Sequence, residues 1–218
     1  MPDTAILDVD GTLVDSTYQH ALAWYRAFRR FDITLPVRHL HRAVGMGGDQ
    51  LVPHVAGQDA EDAHGDDLRA AHGDEFDGLI GEVSAFPDAR ELLEGLRADG
   101  LRIVLATSGS GEQSEHLLSL FGGRDLADAV VTSSDVKSSK PAPDIVELAL
   151  AQVGSSDAFL VGDATWDGQA GVRAGIPFYA VRTGGFSDDE LLEGGATRVV
   201  QSLHELLGVI RSELLPAA

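Results

Sequence analysis

The chain has 218 residues, 44% of them hydrophobic, enough to bury one large core or a core with an insertion. A formal net charge of −19 excludes nucleic acid and anionic membrane surfaces as expected partners, because both need clustered Lys and Arg. Cysteine is absent, which excludes disulfides, thiolate metal sites and thiol catalysis. There is no long apolar run and no basic segment leading into one, so a soluble cytoplasmic protein is expected, with monomer and homodimer both open.

Ala5 to Leu7 form a short apolar run that delivers Asp8 and Asp10 and breaks at Gly11, the pattern of a buried strand ending in a tight turn. Tyr18, Ala21, Leu22, Tyr25 and Phe28 then share one helical face. Residues 16–84 read as a helical insertion, with amphipathic pieces over Leu40 to Val44 and Leu68 to Ile80. Between these pieces, Gly45-Met46-Gly47-Gly48-Asp49 reads either as a flexible loop whose backbone approaches a ligand or as a plain helix connection. A helix is predicted over Ala89 to Asp99 and closed by Gly100, then a strand over 101–106. Further helices are predicted over Gln113 to Phe121, Asp144 to Val153, 167–175, Asp188 to Glu193 and Ser202 to Leu214. Further strands fall at 129–131, 158–161 and 178–181, with Val199-Val200 as a possible edge strand. Strands alternating with helices predict a doubly wound parallel sheet, a Rossmann-like α/β core made of 1–15 and 85–218. The loops after 7, 106, 131 and 161 then open on one edge of that sheet.

Those loops carry the polar residues of interest. Asp8 suits a hard-metal ligand or a nucleophile, although an isolated Asp-Gly is more often a surface turn. Thr107 and Ser108, in the run Thr107-Ser108-Gly109-Ser110-Gly111, offer hydroxyls and N–H groups before a helix, as an anion cradle or as local capping. Gly109, Gly111 and Ser114 come one residue short of a dinucleotide-binding glycine pattern, which leaves that reading weak. The only two lysines, Lys137 and Lys140, share the third loop, where a single cation can offset a carboxylate and a bound anion together. Asp163 follows a strand directly and Asp167 begins a helix. These acids would repel Asp8 unless a divalent cation joined them, and oxygen-only ligands suit Mg²⁺.

Taken in order, Asp8-Val9-Asp10-Gly11-Thr12, the strand-end Thr107, Lys140-Pro141 and Gly162-Asp163 with Asp167 resemble the four motifs of the haloacid dehalogenase (HAD) superfamily. The insertion over 16–84, together with Asp15-Ser16, His20, Trp24 and Ser139-Lys140-Pro141, resembles the helical C1 cap of its phosphoglycolate phosphatase and β-phosphoglucomutase branch.

The resemblance implies an Mg²⁺-dependent phosphomonoester hydrolase acting on a small phosphorylated metabolite. Asp8 would be the nucleophile and Asp10 the general acid and base. Asp8, the Asp10 backbone carbonyl and Asp163 would hold the metal, with Asp167 behind them. Thr107, Ser108, Gly109 and Lys140 would bind the phosphoryl group, and His20, Gly47 and Gly48 are the candidate contributors from the cap. Hinges would lie at Asp15 to Thr17 and Ser84 to Pro87. The acid at Asp10 disfavours carbon–halogen cleavage. A phosphomutase would need a cap cation for a second phosphate, which the Gly45 to Asp49 loop lacks, though Arg42 or His72 could stand in. A phospho-receiver module would be shorter and lack the insertion. His39, His41 and His72 read as cap-surface histidines rather than metal ligands.

Overall fold

A computed structural model describes residues 1–109 and 111–215; Ser110 in the second loop and residues 216–218 lie outside the described residues. Six parallel strands, β1 (Thr4–Asp8), β2 (Arg102–Thr107), β3 (Ala129–Thr132), β4 (Ala158–Gly162), β5 (Phe178–Val181) and β6 (Ala196–Val200), run in the order β3-β2-β1-β4-β5-β6. β1 sits inside the sheet, pairing Asp8 with Ala106 of β2 and Leu7 with Val161 of β4. Three strand ends are therefore level, and the chain reverses direction across the sheet on either side of β1. Open α/β sheets bind ligands at such a point.

The period-two alternation of a strand decides which helices each residue meets. Ala5, Leu7, Ile103, Leu105, Phe159 and Val161 face one layer, built on α5 (Ala89–Ala98) and α11 (Leu203–Glu213). Ile6, Val104, Ala106 and Leu160 face the other, built on α8 (Asp144–Val153) and α9 (Thr165–Ala174). Strands buried on both faces read as the unbroken apolar runs seen in the sequence. The possible edge strand at Val199-Val200 is the end of the five-residue β6. Two short helices, α7 (Gly123–Leu126) and α10 (Asp188–Glu193), complete the core with α6 (Gly111–Ser119).

Between β1 and α5 lie α1 (Thr17–Arg30), α2 (Val37–Ala43), α3 (Gly48–Ala56) and α4 (Gln58–Asp77). They bury an apolar cluster of their own that includes Trp24, Phe28, Leu40, Leu51, Val52 and Leu68. Leu68 to Asp77 is the second half of a 20-residue helix rather than a separate piece, and the predicted stretch runs past its end to Ile80, which opens a single 3-10 turn. The chain enters and leaves this bundle side by side: Val14 bridges Ala85, and the Asp15 N–H donates to the Ser84 carbonyl at 2.9 Å.

Phe159 is fully buried on β4 and packs edge-on to Tyr179 with ring centroids 5.9 Å apart. Phe159→Ala is expected to cost about 3–5 kcal/mol through the cavity it leaves, read as a lower urea midpoint at unchanged slope.

Candidate active site

Asp8 lies two residues beyond Ile6 and so shares its face, the one covered by α8 and α9. Lys140 precedes α8, and Asp167 is in the first turn of α9. The Lys140 Nζ donates to Asp8 Oδ1 and, at 2.8 Å, to Asp167 Oδ1. All three side chains are buried, with Lys140 only 2% exposed. The second Asp167 oxygen accepts the Ala164 N–H at 3.1 Å, so this acid closes the first turn of a helix that begins two residues before it. Gly162 leaves the room: a Cβ there would stand 2.6 Å from the Asp167 Cβ.

The two motif carboxylates on β1's end sit in opposite environments. Burial pushes Asp8 up to about 8, Lys140 pulls against that, and repulsion from Asp167 and Asp10 adds to it. Asp163 is likewise driven well above the carboxylate range by burial and by Asp167 and Asp8, against a 2.8 Å hydrogen bond from Thr12. Burial would raise Asp10 too, but hydrogen bonds from His20, Ser16 and Thr107 prevail and hold it at about 2. For Lys140, burial is outweighed by Asp167 and Asp8, which keep it charged.

Asp8, Asp163 and Asp167 bring carboxylate oxygens within 4.8 Å of one another, and Lys140 supplies a single positive charge to the group. A hard divalent cation fits this buried all-oxygen set. Both Asp167 oxygens are engaged by Lys140 and the Ala164 N–H, and of the three acids Asp8 is the one that lines the cavity. The Asp10 carboxylate lies outside this group, its Oδ1 facing the Ser16 hydroxyl at 2.7 Å and His20 Nε2 at 3.0 Å.

Asp8 and Asp10 line a cavity of about 240 Å³ between the sheet edge and the four-helix bundle. Ser108 and Gly109 line its core side, and His20 and Gly48 its opposite side. Thr107 sits behind: its hydroxyl donates to Asp10 Oδ2 at 2.9 Å and accepts the Gly109 N–H at 2.9 Å. Gly47 packs against Ser139, while Gly45 reaches the cavity and accepts the Ser108 hydroxyl at 3.1 Å. The Gly45 to Asp49 segment is thus a short connection ending in α3, and Asp49 accepts the Ser139 N–H at 3.1 Å.

Arg42 does not stand in for a loop cation. It pairs with Glu190 and covers the Phe186 ring at 3.7 Å. Arg69 is the guanidinium that lines the cavity, and it carries Glu61 at 2.9 Å and Asp66 at 2.8 Å. Sequence reasoning missed Arg69 and the support given by Ser16 and Thr12. A signal existed for Ser16, which stands one helical turn before His20. His41 meets the Gly184 carbonyl at 3.0 Å.

Residues 5–181 match the family described as haloacid dehalogenase-like hydrolase. The chain is 31% identical over 230 residues to the plasmid-borne phosphoglycolate phosphatase of Cupriavidus necator, covering all of this chain and 98% of that one. It is 30% identical over 190 residues to the validoxylamine A 7'-phosphate phosphatase of Streptomyces hygroscopicus subsp. limoneus, covering 81% and 84%. A crystal structure of a hydrolase from Pseudomonas syringae superposes with a TM-score of 0.91 at 31% identity, over 96% of this chain and 98% of the other.

Asp8 has a folded value near 8 against an ordinary 3.8, so between these pH values the folded chain binds more protons than the unfolded one. Stability of the cation-free protein therefore falls as pH rises through that window; Asp10, held low, contributes stability that is lost only on acidification toward about 2. The expected outcome, in thermal melts with EDTA or Mg²⁺, is a larger stabilisation by Mg²⁺ at about pH 8 than at about pH 5. An equal gain at both would contradict a cation held by Asp8 and Asp163.

Proposed function

The chain belongs to the haloacid dehalogenase-like hydrolase family, and on that footing we propose that it is an Mg²⁺-dependent phosphomonoester hydrolase acting on a small phosphorylated metabolite. The observation that carries this reading is the buried Lys140 clamp on Asp8 at the floor of a cavity, with Asp10 beside it.

In this reading Asp8 attacks phosphorus, the ester P–O bond breaks, and Asp10 protonates the departing alkoxide. Asp10 then takes a proton from water, which attacks the aspartyl phosphate; the bond to Asp8 breaks and inorganic phosphate leaves. Lys140 fixes Asp8 Oδ1 and so orients the carboxylate, whose Oδ2 has the Thr12 hydroxyl at 3.4 Å. The Ser108 backbone, at the cavity wall, would receive phosphoryl oxygens, while the Gly109 N–H is given to the Thr107 hydroxyl. Mg²⁺, held by Asp8, the Asp10 carbonyl and Asp163, would supply positive charge against the phosphoryl oxygens. Residues 16–84 would act as a cap hinged at Asp15 to Thr17 and Ser84 to Pro87, where the entering and leaving segments pair side by side.

Transfer within a bisphosphate is the less favoured reading. It needs a free cap cation for the distal phosphate, and the guanidinium at the cavity, Arg69, is already shared by two carboxylates.

Phosphate release from p-nitrophenyl phosphate and a panel of small phosphoesters tests the proposal. Activity is expected to require Mg²⁺, to vanish in Asp8→Asn and to fall about 10²- to 10⁴-fold in Asp10→Asn. Wild-type protein that isomerised a sugar phosphate without releasing phosphate would overturn hydrolysis.

A further inference from the structure

The side of the cavity away from the sheet comes mostly from the four-helix bundle. Trp24, Val44 and Met46 give it apolar surface, and Arg69 of α4 is the one guanidinium or ammonium group lining it among the described residues. The Arg69 Nη1 donates to Glu61 at 2.9 Å and its Nη2 to Asp66 at 2.8 Å. Gln113, from α6, gives its side-chain amide to the Gly73 carbonyl at 3.0 Å and to Asp77 at 2.7 Å. These polar groups are therefore turned toward the protein rather than toward a ligand.

The Glu61 contact is built into the helix. Glu61 and Arg69 lie about two turns apart on α4, and Gly65 stands midway between them. A Cβ on Gly65 would be 2.6 Å from the Glu61 carboxyl carbon. Glycine inside a helix is destabilising relative to alanine, and here it makes the room in which the Glu61 side chain runs along the helix to Arg69. The pair is mostly shielded from water, with side-chain exposures of 19% and 30%, whereas Asp66 is fully exposed and holds Arg69 weakly.

We propose that Glu61 neutralises Arg69 and so sets the leaving-group selectivity of the cavity: the substrate is a small phosphate ester of an uncharged alcohol, and esters that carry a carboxylate or a second phosphate are disfavoured. An anionic leaving group that reached Arg69 would have to displace Glu61 or sit beside two carboxylates, and like charges brought together in this way repel strongly. An uncharged one lies against Trp24, Val44 and Met46, where apolar area leaves water. A cavity of about 240 Å³, on the order of eight water volumes, has room for a phosphoryl group and a compact alcohol.

This inference rests on the phosphatase reading for the ester itself. Its test uses pairs of esters that differ only in carrying CH₂OH or carboxylate: hydroxyethyl phosphate against phosphoglycolate, and glycerol 3-phosphate against 3-phosphoglycerate. With Mg²⁺, wild type is expected to favour the uncharged member of each pair about tenfold in kcat/KM. Glu61→Gln removes the negative charge, and Gly65→Ala displaces the carboxylate from Arg69 without removing it. Each should lower that preference at least about fivefold, with kcat/KM for hydroxyethyl phosphate within roughly twofold of wild type. A wild type that favours the carboxylated esters, or a preference unchanged in Glu61→Gln, would overturn the proposal; so would Gly65→Ala matching wild type where Glu61→Gln has lost all activity. If wild type hydrolyses no ester, the phosphatase reading fails on its own. Calorimetric titration of the same esters into the protein with Mg²⁺ then decides the charge selectivity, and phosphoglycolate binding as tightly as hydroxyethyl phosphate would refute it.

Discussion

The fold is arranged to bring one buried ammonium under two carboxylates, one of which, Asp8, lines the cavity. Moving Lys140, Asp8 and Asp167 out of water costs several kcal/mol per ion, and this is recovered only when the geometry is close and the remaining polar atoms are satisfied. That requirement explains details at a distance. β1 must end at Asp8 on the face of α8 and α9; Gly162 must lack a side chain so that Asp167 fits; and Asp167 must spend its spare oxygen on the Ala164 N–H. Removing one partner would leave buried charge uncompensated, which is worse than never having built the pair.

The clamp still leaves the acids in excess. Asp8 and Asp163 are both driven upward, chiefly by burial, while Asp10, two residues from Asp8, is held down by donors on both oxygens. Environment alone therefore distinguishes two neighbouring carboxylates of the same chemical type, and in the cation-free protein it favours a protonated Asp8 and an ionised Asp10, the reverse of the states in which a nucleophile and a general acid begin. A divalent cation beside Asp8 and Asp163 favours their ionised forms, so the excess of buried acid and the fit for a metal are two aspects of one arrangement.

Much of this was legible because each motif is local. The apolar run before Asp8, the glycine after Asp10 and the lone loop with both lysines carry their meaning within a few residues, and the sheet order follows from strand and helix alternation. The first half of α4 was harder, since its outward face carries Asp59, Asp62, Asp66 and Asp67 with little apolar rhythm, and α3 contains Pro53. Arg42 and Arg69 show the limit of sequence. Both sit on helices of the bundle, and only tertiary packing sends one to Glu190 and the other to the cavity. His72, expected from the sequence as a cap-surface histidine, instead lines the cavity and stacks on Trp24; the signal against a surface place was its position one helical turn after Leu68 and before Phe76, on the buried face of α4.

The place of the insertion has its own logic. Because α1 starts directly after the first motif, Ser16 and His20, one turn apart, reach back to the same oxygen of Asp10. The bundle meets the core through apolar packing of Ala23 and Phe76 and through polar contacts, such as Ser108 to the Gly45 carbonyl, the Ser139 N–H to Asp49 and the Trp166 N–H to the Arg42 carbonyl. Contacts of that kind are individually worth about a kilocalorie per mole and can be broken and remade. An insertion later in the chain would cover the cavity equally well, but it would not tie its first helix to the acid. Here the helix that leaves the sheet at the motif also holds the motif's second carboxylate, so the position of the bundle and the state of Asp10 are set together.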